Sequence, residues 1–113
     1  MTADIRTAIL RLQQTVADYY QVPVCALSGR SREQPLAFVR QLAMAVARAG
    51  CRAAAAHVSD REIGVLFARD HSTVRSAGTA IGRACEVEPA TLAAFTHFTE
   101  QFTQLLNTKP PTP

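Results

Sequence analysis

The residues best suited to chemistry in this chain form one short run, Asp70-His71-Ser72-Thr73. Asp70 stands three residues ahead of Thr73, the spacing at which an N-cap carboxylate accepts the amide of the third helical residue, so a helix is predicted to start at His71. Its first turn offers an imidazole, a hydroxyl, and a hydroxyl with a methyl group, while Val74, Ala77 and Ile81 supply an apolar face. Compact donors, acceptors and a methyl at a helix start suit the base-pair edges of a DNA major groove, which is wide enough to admit a helix.

A reading turn of this kind needs a second helix to set its angle. Ser59 followed three residues later by Glu62 is a capping box, which predicts a helix start just ahead of Ile63, Leu66 and Phe67, three apolar residues on one face. The pattern breaks at Ala68-Arg69 before Asp70 opens the next helix. Ser59 to Ala77 therefore reads as a helix-turn-helix, whose second helix presents its N-terminal residues to bases.

The motifs here, REIG at 61–64 and FARDHSTV at 67–74, resemble the signature of the C-terminal DNA-binding domain of the bacterial replication initiator DnaA family. Upstream, LQQTVADYYQVPVCALSGRSR resembles the family's opening helix and basic loop, and VRQLAMAV, at 39–46, its next helix. The resemblance covers roughly residues 9 to 84. It implies a small all-α domain of about five to six helices containing a helix-turn-helix, and double-stranded DNA with DnaA-box-like sites as the partner. On the matching positions it implies base readout by His71, Ser72 and Thr73, entry of Arg32 into the minor groove, and phosphate contacts from Arg40, Gln41 and Arg48. Arg61, Arg69, Asp70 and Arg75 complete the candidate interface. The chain departs from the family pattern in the turn before Arg69, which lacks the usual two glycines and is shorter. It also departs at Arg75 and Ser76, where the family often has an apolar residue and a histidine, and at Glu33, which stands in a more basic stretch.

The charge distribution is consistent with a phosphate-facing surface. Between Ser28 and Arg83 nine Arg face four acids, a local net charge of +5 in a chain whose total is +3. The loop Gly29-Arg30-Ser31-Arg32 carries two of these cations, and an Arg is suited to the strong negative potential of a narrow A·T-rich minor groove.

The remaining elements serve as frame. Ile5, Ile9, Leu12, Val16 and Tyr19 or Tyr20 recur at three and four, predicting a helix from Asp4 to Tyr20 that Gln21-Val22-Pro23 stops. Val24 to Leu27 is predicted to form one short turn, closed by Gly29 in the left-handed conformation. Pro35 opens a helix with an apolar face of Leu36, Val39, Leu42, Ala43 and Val46, with Arg40, Gln41 and Arg48 off that face, until Gly50 ends it. Cys51 to Val58 reads as a loop with a possible helical turn. A last helix is expected from about Ala90 to Leu106, striped by Leu92, Phe95, Phe98 or Phe102, and Leu105.

With 113 residues and 48% hydrophobic content, one domain is expected at 1–107, followed by a disordered Pro-rich tail at 108–113. The Met1 start, the full first helix and this tail favour an autonomous small protein over a fragment. Cys25, Cys51 and Cys85 are too dispersed for a disulfide framework, and His57, His71 and His97 have no ligand spacing, so neither a metal nor another cofactor is expected. No phosphate-binding loop is present, no nucleophile-base grouping is recognisable, and the chain is expected not to be an enzyme. Without a signal segment or a long apolar run it is expected to be cytoplasmic, with no membrane partner. Three readings remain: a DNA-binding protein that modulates replication initiation or local transcription, an adaptor that mimics the initiator domain and engages replication-initiation regulators, and a fragment or a DNA-targeting module of a mobile element.

Overall fold

The computed structural model describes residues 1–107, so the expected tail at 108–113 lies outside the described residues. Among the described residues the chain forms five α-helices and no strand: α1 Ala3–Tyr20, α2 Leu36–Ala53, α3 Asp60–Leu66, α4 His71–Val87 and α5 Pro89–Asn107. A 3-10 turn, Val24–Leu27, lies between α1 and α2, as the short Val24 to Leu27 segment predicts.

Helix α2 is the central element and packs on α1, α4, α5 and the 3-10 turn. Val39, Leu42, Ala43, Met44, Val46 and Ala47 on it are all buried, so this helix turns apolar surface to neighbours on several sides. Against it α1 places Ile9, Leu12 and Val16, α4 places Val74, Ala77 and Ile81, and α5 places Phe98 and Phe102. The apolar stripes of α1 and α4 are thus the ones their periodicity predicts. That of α5 is rotated: Thr91, Ala94, Phe98 and Phe102 are buried, Phe95 is half-buried, and Leu92 is 48% exposed. Thr91 is tolerated on the inner face because its hydroxyl donates to Glu88 at 2.9 Å.

The helix ends correct two expectations placed on glycines. Gly50 does not end α2, which continues through Ala53. Its missing side chain serves packing instead, since a β-carbon there would overlap the ring of Phe102 from α5. Gly29 does not take the left-handed conformation; no glycine does so among the described residues. Among the described residues the non-glycine residues at positive φ are Gln21, Ala55 and Ala68. Each left-handed L-residue costs about 1–2 kcal/mol. At Gln21 and Ala55 that cost is offset by capping: the Gln21 amide donates to Ala17 and Asp18, and beyond α2 Ala56 donates to Cys51 at 2.8 Å. Of the segment Cys51 to Val58, read as a loop with a possible helical turn, Cys51 to Ala53 belong to α2, and Ala55 supplies the stop. No helix among the described residues is long and apolar enough to cross a membrane.

Candidate nucleic-acid interface

Helix α3 begins as its sequence requires. The Ser59 hydroxyl accepts the Glu62 amide at 3.1 Å and the Glu62 carboxylate accepts the Ser59 amide at 3.2 Å, closing the capping box. The Glu62 carboxyl is held below the usual range, first by the ammonium of Met1 and then by the Ser59 amide. Seven residues later α3 ends, and Gln13 of α1, buried at 7% exposure, donates to the Leu66 carbonyl at 2.8 Å. A polar side chain on the apolar face of α1 thus satisfies a terminal carbonyl that the short helix leaves open.

The turn that follows depends on Gly64. Its carbonyl accepts the amides of Phe67 at 3.0 Å and Arg69 at 2.9 Å, folding the chain back across the end of α3. A β-carbon on Gly64 would overlap the Arg69 carbonyl oxygen, which is backbone and has little freedom to move away. Phe67 is fully buried, and Ala68 takes φ 53, completing the turn.

Asp70 then caps α4. One carboxylate oxygen accepts the Thr73 amide and the Ser72 hydroxyl, both at 2.8 Å, and the pKa falls to about 2, caused first by the Thr73 amide and then by the Ser72 hydroxyl. This assigns distinct chemistry along the first turn. Ser72 has its proton directed at Asp70, so its remaining lone pairs face outward as acceptors. His71 and Ser72 are exposed, and Thr73 is half-buried.

The candidate arginines separate into three groups. Arg32 and Arg61 are exposed, as are Arg30 beside Arg32 and Gln41 on α2. Arg48 and Arg75 converge on Asp60 at the start of α3: Arg48 Nε lies 3.0 Å from one carboxylate oxygen and Arg75 Nε 3.8 Å from the other. Asp60 therefore ties α2 to α4 while leaving Arg75 largely in solvent, its side chain 64% exposed.

The third group, Arg40 and Arg69, faces inward. Arg40 was expected off the apolar face of α2; it is instead 6% exposed, because the carbonyls ending the 3-10 turn supply acceptors at that point. Its Nε donates to Leu27 at 3.2 Å, and Nη2 donates to Ala26 and Ser31, each at 3.0 Å. Arg69 donates to the carbonyls of Phe67, Ala68 and Gly29. Burial, and then the nearby charge of Arg69, lowers the Arg40 pKa.

Gln13, Asp60 and Gly64 were not singled out for these roles by the sequence. A glutamine inside an apolar stripe was the available signal for Gln13, and the glycine of REIG was the signal for Gly64. Asp60 had only its place after the Ser59 cap.

A short helix, a turn closed on its glycine and a capped second helix with a polar first turn, flanked by exposed arginines, define a helix-turn-helix domain of the DNA-binding class. The chain belongs to the bacterial dnaA protein helix-turn-helix family, whose model matches residues 9–81. It is 44% identical over 64 residues to the chromosomal replication initiator protein DnaA of Dechloromonas aromatica (strain RCB), covering 56% of this chain and 13% of that protein. It is 34% identical over 87 residues to the chromosomal replication initiator protein DnaA of Enterococcus faecalis (strain ATCC 700802 / V583), covering 74% of this chain and 18% of that protein. The chain thus spans less than a fifth of the length of these relatives.

Proposed function

We propose that the protein binds double-stranded DNA in a sequence-specific manner at DnaA-box-like sites, and modulates chromosomal replication initiation or local transcription by occupying them. The observation that supports this most directly is the first turn of α4. His71, the Ser72 acceptor face and the Thr73 side chain occupy the end of a capped helix, and the loop bearing exposed Arg30 and Arg32 is joined through the Gly29 carbonyl to Arg69 in the turn before it. In this reading His71, Ser72 and Thr73 meet base edges, while Arg61, Arg75, Arg48 and Gln41 approach phosphates. Asp70 acts as the cap that orients the turn. Binding alone accounts for these features, so no catalytic role and no cofactor are assigned.

The test is a titration on box-containing and scrambled duplexes at fixed salt. Thr73→Ala is expected to reduce discrimination by about 1–3 kcal/mol, the value of one good base contact, with a smaller loss of total affinity. A variant that separates the two duplexes as well as the parent does would show that this turn does not read bases. In cells, overproduction should alter initiation, and replacing His71 and Thr73 together should abolish the effect. The adaptor alternative, in which Phe95, Phe98 and Phe102 of α5 would engage a regulator, draws less support: Phe98 and Phe102 are each 2% exposed. If the double variant folds, fails to bind DNA and still alters initiation fully, the adaptor reading replaces this one.

A further inference from the structure

Residues 28–32 belong to no helix, yet guanidinium groups from two separate elements converge on the carbonyls within and just before this segment. Arg40, from the centre of the fold, spans Ala26, Leu27 and Ser31. Arg69, from the turn ahead of α4, takes Gly29. Burying a cation is costly unless its donors are satisfied, and a position facing the core of α2 would otherwise favour an apolar side chain. What the arginine contributes is a planar fork that reaches carbonyls in several directions at once, which a lysine ammonium on its single stem does not reproduce.

We infer that Arg40 and Arg69 are positioning residues that clamp the arginine-bearing loop to the turn before α4, so that Arg30 and Arg32 meet the minor groove in fixed register with the major-groove contacts of His71 and Thr73. Its DNA consequence rests on the proposed function, but the clamp itself does not. Arg40 then acts on DNA through the loop, in place of the phosphate contact that the family resemblance implies for it.

Two measurements on the full chain test this separately. The first uses no DNA: limited trypsin digestion, with cleavage after Arg30 and Arg32 followed by mass spectrometry, on the parent, Arg40→Lys and Arg69→Gln. Both variants should be cut in the loop roughly fivefold faster or more, because local opening is set by local contacts, while circular dichroism shows helix content unchanged. Arg69→Gln alters a half-buried residue outside the helices, which keeps this arm decisive if Arg40→Lys does not fold. Loop cleavage at the parent rate in the folded variants overturns the clamp.

The second is a double-mutant cycle in DNA binding, using duplexes whose A·T-rich flank is replaced by G·C. Arg40→Lys should lose the A·T preference to the same extent as Arg32→Ala, and the double variant should lose no more. Additive losses would show that Arg40 meets DNA itself and would overturn its positioning role. If the parent distinguishes no duplex, the proposed function fails, and the digestion still decides the clamp.

Discussion

Two glycines of this molecule lie where a β-carbon would overlap a neighbour, and the neighbours differ in kind. At Gly50 the obstacle is the ring of Phe102, a side chain in the apolar contact between α2 and α5. At Gly64 it is the backbone of Arg69, in the turn that launches α4. A ring in a core can rotate or shift with its helix, at a cost in packing. A carbonyl already built into a hydrogen-bonded turn can move only if the turn moves. A change in the α2–α5 contact therefore acts on stability alone, whereas one in the α3–α4 turn acts both on stability and on where the first turn of α4 points.

The largest expected effect is at Gly64. Gly64→Ala should destabilise by about 3 kcal/mol, at the upper end for an overpacked site, and should also weaken discrimination between box and scrambled duplexes in the molecules that remain folded. Urea unfolding followed by binding under folding conditions measures the two losses separately. Gly50→Ala sharpens the contrast. It should cost about 1–3 kcal/mol in the same urea experiment yet leave discrimination per folded molecule as in the parent. If Gly50→Ala lost discrimination while folded, stability and recognition would not divide along these regions.

A third glycine provides the control. Gly82 is exposed within α4, with nothing within 4 Å of a built β-carbon. Gly82→Ala should stabilise by about 0.5–1 kcal/mol through helix propensity alone, seen as a raised thermal midpoint with unchanged DNA preference. A pH-dependent effect is expected at the cap of α4. Asp70 has a folded pKa of about 2, depressed from the ordinary carboxylate value of about 3.9, so its contribution is present above roughly pH 4 and is lost as pH falls toward 2. The difference in thermal midpoint between the parent and Asp70→Ala should be constant from pH 7 to about 5 and narrow below pH 4. A difference that did not change over that range would mean that the charge of Asp70 does not support the helix start.

The arginines show where reading the chain residue by residue met its limit. Arg32 and Arg40 are both cations in the basic half of the chain, and the family resemblance implies DNA contact for both. One is exposed and the other is 6% exposed with three carbonyls around it. The periodicity of α2 did not mark Arg40 as buried, because Arg40 follows Val39 on a helix that is buried on several sides. Leu92 was misplaced for a related reason: the stripe of α5 holds Thr91 and Ala94, whose small volumes suit the inner face and give a weak apolar signal.

What the sequence by itself determined about this protein is local: the Ser59–Glu62 and Asp70–Thr73 caps, the α4 stripe of Val74, Ala77 and Ile81, and the REIG and RDHSTV motifs that mark the family. Each of these depends on residues within one or two helical turns, where spacing alone dictates which groups meet. Tertiary structure decided the rest: that Gly50 accommodates Phe102, that Gln13 reaches Leu66, that Asp60 gathers Arg48 and Arg75, and that Arg40 and Arg69 hold the basic loop. These partners come from separate elements. Whether a long polar side chain meets a phosphate or a carbonyl depends on which acceptor the folded backbone brings within reach, and spacing along the chain carries no record of that distance.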